Sequence, residues 1–212
     1  MKPSIFWSGY FADGINCNVK LGQEKILKSD REKWDLRYSR ESELFPVPDE
    51  FLVRHEALLK PGRALDVACG RGGNAIFLAE RGYNVDAVDI SFQAFGPLQS
   101  EAVRRGLDIR CVVADLDCYP LARGIYDLVI VFYYFSKPLM KSVKEALKER
   151  GLVFYSTFND RHTSVRPQFD PAYLVSANGL LSYFDDFDLL VYEPSAGEHG
   201  TVSRLIAQKR AR

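Results

Sequence analysis

The chain has 212 residues, 47% of them hydrophobic, and its 28 Lys and Arg balance 28 Asp and Glu. That length suits one domain able to bury about 70% of its unfolded surface, and the cancelled charge leaves no overall field to attract nucleic acid or an anionic membrane. Cys17, Cys69, Cys111 and Cys118 lack metal-ligand spacing, so they read as structural thiols and no metal site is expected.

Residues 1–13 are aromatic but broken by Pro3, Ser8 and Gly9, too short for a signal-peptide core or a membrane span. A cytoplasmic protein is expected, with residues 1–30 as an extension, a lid, docking arm or packed strand, before a domain over 31–212. Trp34 and Tyr38 are four apart and share a helix face, suited to closing over a ligand or to docking the helix. His55 lies in a helix-like segment beside Glu56 and reads as surface.

From residue 64 the chain reads Ala-Leu-Asp66-Val-Ala-Cys-Gly70-Arg-Gly72-Gly-Asn74-Ala, an apolar strand that breaks into glycines before a helix. Without Cβ atoms the loop can curl tightly and approach a ligand, and the helix turns its free N–H groups to the same space. The helix covers Asn74 to Arg81, and Gly82 supplies its stop. Tyr83–Asp89 alternates as a second strand, Ile109–Ala114 forms a third that closes on Asp115-Leu116, and Asp127–Phe132 is apolar enough for a central strand. Phe132-Tyr133-Tyr134-Phe135 follows, of which two should be core. A helix over 137–150, with Leu139, Met140, Val143, Ala146 and Leu147 as its stripe, ends at Gly151 before the strand 152–157. The segments 187–193 and 201–209 are joined only by a loop and should pair antiparallel. This alternation predicts an α/β fold with a doubly wound, mostly parallel sheet and an antiparallel end.

Three acids at three successive strand ends line the carboxyl edge, where open α/β sheets bind ligands. Gly70-x-Gly72-x-x-Ala75 also satisfies the dinucleotide pattern, but Asp66 would repel a pyrophosphate. S-adenosylmethionine offers an ammonium, a sulfonium and a ribose diol instead, and suits an acidic loop. Asp66 and the Gly70–Asn74 loop are placed for its methionine end, Asp89 for the ribose, and Asp115 with Leu116 for the adenine.

These residues resemble the class I S-adenosylmethionine-dependent methyltransferases. Trp34-Asp-x-Arg37-Tyr38, Leu65-Asp-x-Ala-Cys-Gly70-x-Gly-x-Asn74-Ala, Asp89-Ile-Ser91, the strand into Tyr134 and Ser156-Thr-Phe-Asn159 are similar to the tellurite-resistance branch. The resemblance implies seven strands, the last inserted beside the fifth. It also adds Trp34, Tyr38, Ala68, Cys69, Arg71, Ile90 and Ser91 to the cofactor set. Lys148-Glu-Arg-Gly151 replaces the family's Pro-Gly-Gly, a departure confined to one turn.

Methyl transfer needs donor carbon and acceptor atom held in line, so orientation can supply much of the catalysis without a general base. Phe132 and Tyr133 stand where the methyl should point, and aromatic faces stabilise a sulfonium. His162 and His199, in loops after strands, are candidate proton acceptors. Arg161 and Arg166 beside His162 would favour an anionic acceptor, although a solvated loop is the simpler account of them. Cys69 near a helix start is a conceivable nucleophile that this reaction does not require. The expected acceptor is a small molecule, an oxyanion such as tellurite or a thiol, amine or hydroxyl, and the protein a monomer or homodimer. An NAD(P)-dependent oxidoreductase and a non-catalytic cofactor-binding module are the alternatives. The former lacks the Tyr-x-x-x-Lys of short-chain enzymes, and nucleic-acid methylation lacks an Asn-Pro-Pro-Tyr-like motif after strand four.

Overall fold

The computed structural model describes residues 21–40, 47–176 and 178–211, with side chains from Asp30 onward. The aromatic stretch 1–13 and Cys17 lie outside the described residues. Seven strands, β1 (Arg63–Val67), β2 (Asn84–Asp89), β3 (Ile109–Val113), β4 (Tyr126–Phe132), β5 (Leu147–Phe158), β6 (Phe187–Ala196) and β7 (Val202–Lys209), form one sheet in the order β3-β2-β1-β4-β5-β7-β6. β2 with β3 and β4 with β5 run parallel, whereas β7 is antiparallel to both β5 and β6, so the expected antiparallel end is present. The chain divides into two compact units: residues up to Gly62 with Asp66–Tyr119, and Arg63–Leu65 with Pro120–Arg212.

The first unit holds α1 (Leu21–Arg40), α2 (Glu50–Arg54), α3 (Gly73–Glu80) and α4 (Phe95–Arg105). α1 thus runs across position 30. Five of the six β2 residues are buried, as a strand covered on both faces requires, and the buried Asp86 is neutralised by Arg110 from β3 at 2.7 Å. Asp49 caps α2 by accepting from the Phe51 N–H at 2.8 Å, and its own N–H donates to Asn74 Oδ1 at 2.8 Å.

The second unit holds α5 (Lys137–Ala146), α6 (His162–Val165) and α7 (Gly179–Tyr183). The apolar stripe Leu139, Met140, Val143 and Ala146 is buried as expected, but the helix stops at Ala146 and not at 150. Leu147 pairs with Tyr126 and opens β5, so strand pairing overrides the helical pattern. Lys209 Nζ donates to the carbonyls of Lys144 and Leu147 at 2.8 Å each, satisfying groups that the helix end leaves without partners. The Lys148–Gly151 turn is bulged: Arg150 has φ of 62°, and a Cβ at Gly151 would lie 2.9 Å from the Lys148 carbonyl oxygen.

Candidate functional site

The loop after β1 takes left-handed backbone at Ala68, Gly70 and Gly72, with φ of 54°, 53° and 78°. Cys69 N–H donates to the Val88 carbonyl at 3.0 Å, tying the loop to β2. Two glycines permit close approaches: a Cβ at Gly70 would sit 3.0 Å from the Tyr38 hydroxyl, and one at Gly73 would collide with the Val47 carbonyl oxygen at 2.0 Å. Gly73 falls inside the Gly70–Asn74 loop, and the Gly72-Gly73 doublet is the sequence signal of this second approach.

The acids behave differently from one another. Asp66 is 1% exposed, accepts the Ala75 N–H at the start of α3, and has no partner for Oδ2. Burial, and then the charge of Asp89, hold its carboxyl well above the ordinary range. Asp89 accepts the Gly70 N–H at 2.8 Å through Oδ2 and the Ser91 N–H at 2.9 Å through Oδ1, yet burial lifts it to about 6. It latches the loop while each oxygen keeps a lone pair. Asp115 is half-buried, raised by that burial, and accepts the Asp117 N–H at 2.9 Å, while Leu116 is buried beside it.

Helix α1 lies over these strand ends. Its residues Trp34, Asp35 and Tyr38 are half-buried, and the Trp34 and Tyr38 rings stack at 5.7 Å. Asp35 Oδ1 accepts from Ser91 Oγ at 2.5 Å and from the Gln93 N–H at 3.4 Å, and Asp30 adds negative potential at Asp115. Asp35 was missed from sequence although it sits inside the Trp34-Asp-x-Arg37-Tyr38 segment. The remaining cofactor candidates are around the same loop: Ile90 is half-buried, Ser91 is fully buried, Arg71 is half-buried, and Asn74 spends its side-chain oxygen on Asp49. Cys69 and Cys111 are half-buried. Burial and then Asp66 and Asp89 push the Cys69 thiol up, which keeps it protonated and removes the nucleophile reading.

This rim fits S-adenosylmethionine. Asp66 Oδ2 is a buried acceptor awaiting a donor, which an ammonium supplies; Asp89 retains acceptor capacity for a diol; and the acids oppose a pyrophosphate.

In the second unit Phe132 and Phe135 are core, as expected of two of the four aromatics, while Tyr133 is 46% exposed with φ of 56° and packs on Phe158 at 5.4 Å. His162 is 6% exposed, stacked on Phe158 at 4.0 Å and edge-on to Phe169 at 4.8 Å, and neither ring nitrogen has a hydrogen-bond partner. Burial and then Arg166 lower its pKa, so it is neutral at physiological pH. The basic cluster therefore does not form: Arg161 and Arg166 are exposed, and His162 is buried and uncharged. His199 is exposed on the β6–β7 loop. Buried Asn159 links the two histidine segments, donating to the carbonyls of Pro194 and Gly200 at 3.1 Å and accepting the Arg161 N–H at 3.1 Å. Among the described residues no three His, Cys, Asp or Glu side chains form a metal cluster, and no helix is long and apolar enough to cross a membrane.

Comparison with known proteins agrees with this geometry. A family described as a methyltransferase domain matches residues 64–151. Hemagglutinin 1 of Eikenella corrodens is 26% identical over 82% of this chain and 68% of its own length. Ubiquinone biosynthesis O-methyltransferase of Idiomarina loihiensis is 29% identical over 54% of this chain and 49% of its own. "Probable S-adenosyl-L-methionine-dependent methyltransferase TehB" of Haemophilus influenzae is 23% identical over 66% and 51%. The chain thus spans about half the length of the last two relatives. The crystal structure of TehB from Haemophilus influenzae superposes with a TM-score of 0.66 at 17% identity, covering 84% of this chain and 67% of that one, and shows a shared fold. The chain thus carries a methyltransferase domain over residues 64–151, and by its fold and relatives it resembles the class I S-adenosylmethionine-dependent methyltransferases of the tellurite-resistance branch.

Proposed function

We propose that the protein transfers a methyl group from S-adenosylmethionine to a small-molecule acceptor in the cytoplasm. The observation that carries this reading is the buried Asp66 oxygen without a partner beside Asp89 and the Gly70 loop. When bound, S-adenosylmethionine supplies an electrophilic methyl on a sulfonium. Asp66 would receive the ammonium, Asp89 the ribose hydroxyls, and Asp115 with the Leu116 N–H the adenine. Trp34, Asp35 and Tyr38 on α1 would exclude water, with Ala68, Cys69, Arg71, Ile90 and Ser91 shaping the floor.

Tyr133 is assigned to the acceptor side, with Phe132 behind it and His162 and His199 as groups able to hold a proton. The balanced charge supports a small acceptor over nucleic acid, and the oxyanion, thiol, amine and hydroxyl classes remain in play. Incubation with methyl-labelled S-adenosylmethionine and a panel of these acceptors tests the reading. Acceptor-dependent release of S-adenosylhomocysteine, abolished by Asp66→Asn, is expected. Cofactor binding without turnover of any acceptor would favour a binding module instead.

A further inference from the structure

Two buried polar side chains in the second unit are left without partners at the end of β5. His162 exposes 6% of its surface and Ser156 none, yet both imidazole nitrogens and the Ser156 hydroxyl lack hydrogen bonds. A buried polar group with no partner is destabilising by about 1–3 kcal/mol, so such groups call for a partner that the chain itself does not supply. Ser156 and Phe158 are two apart on one strand and share a sheet face, and Phe158 carries both the His162 stack and the contact with Tyr133. The orphan groups therefore belong to one aromatic-walled patch.

We propose that this patch is the acceptor site and that it selects a flat, uncharged molecule bearing a hydroxyl, which donates its hydrogen bond to the His162 imidazole. This rests on the methyltransferase reading for the meaning of acceptor. Phe158, Phe169 and Tyr133 offer ring faces and edges that favour a planar ligand. The neutral imidazole has one nitrogen that donates and one that only accepts. A fully ionised oxyanion carries no proton to give the accepting nitrogen, and a thiol is a weak donor. An ammonium would meet the charge of Arg166, which already disfavours a cation at His162. Phe169 reaches His162 from the irregular stretch that follows α6 and presents its ring edge-on.

The full chain, labelled with ¹⁵N-histidine and saturated with S-adenosylhomocysteine, is titrated with phenol, anisole, thiophenol and sodium tellurite. Phenol should shift the His162 ring nitrogens and leave His55 and His199 unmoved, and anisole, which lacks the proton, should bind about tenfold more weakly. In His162→Phe the preference for phenol over anisole should vanish while S-adenosylhomocysteine affinity is retained. The proposal is overturned if phenol leaves His162 unmoved, if anisole, thiophenol or tellurite binds as tightly as phenol, or if His162→Phe keeps the preference. Loss of the methyltransferase reading is seen separately, as absent S-adenosylhomocysteine binding, because the phenol titration also runs without it.

Discussion

Asp89→Asn removes a carboxylate that latches the glycine loop and is proposed to receive the ribose. The new amide must turn a donor toward either the Gly70 or the Ser91 N–H, and the ribose contact proposed for Asp89 loses an ionised acceptor. A hydrogen bond to a charged group contributes about 1.5–3 kcal/mol, so the dissociation constant for S-adenosylhomocysteine should rise by about 10- to 100-fold at pH 7.5. The wild type adds a pH signature. Its Asp89 titrates at about 6, and the ionised form is the one that accepts from a diol. Affinity should be fully developed above pH 7 and fall as pH drops through 6, reaching about tenfold weaker at pH 5. Without ligand the sign reverses. The pKa is raised from 3.8 to about 6, so Asp89 stabilises the fold below pH 4, and up to about 3 kcal/mol is lost as pH rises through 6. Calorimetric titrations over about pH 5 to 8, with melting curves extended down to about pH 3.5, measure both effects. Wild-type affinity that is flat over this range, or a variant that follows the wild-type curve, would refute the reasoning.

Three further substitutions probe the frame. Gly73→Ala drives a methyl into the Val47 carbonyl oxygen and should lower stability by about 1–3 kcal/mol, a fall of roughly 2–12 °C in Tm; an unchanged Tm contradicts the close approach. Lys209→Met strips the partners from the Lys144 and Leu147 carbonyls and should lower urea stability by about 1.5–3 kcal/mol without changing cofactor affinity. Asn159→Leu should abolish hydrogen-exchange protection around 160–162 and 194–200 while S-adenosylhomocysteine still binds normally, and protection that persists would show that Asn159 is not the tie.

The sheet was legible because its signals are local. Strand runs, the Gly82 stop and the closing acids each sit within a few residues, and β7 did insert beside β5. The end of α5 was not, since nothing local says that Leu147 will pair with Tyr126 or that Lys209 will reach the carbonyls beside it from 62 positions away. The acids after β1, β2 and β3 could be read by position, but the shift of Asp89 to about 6 depends on burial under the loop that it holds. Asp35 was invisible for a related reason: a charged residue on a helix reads as solvated until Ser91, 56 positions on, is found against it. The basic cluster failed because the pattern could not show that Phe158 and Phe169 enclose His162.

The most direct test of the cofactor assignment is calorimetric titration of the wild-type protein with S-adenosylhomocysteine and, separately, with NAD at pH 7.5. Micromolar binding of S-adenosylhomocysteine with no detectable heat from NAD is the result this structure requires; binding of NAD alone would contradict it and return the glycine loop to a dinucleotide.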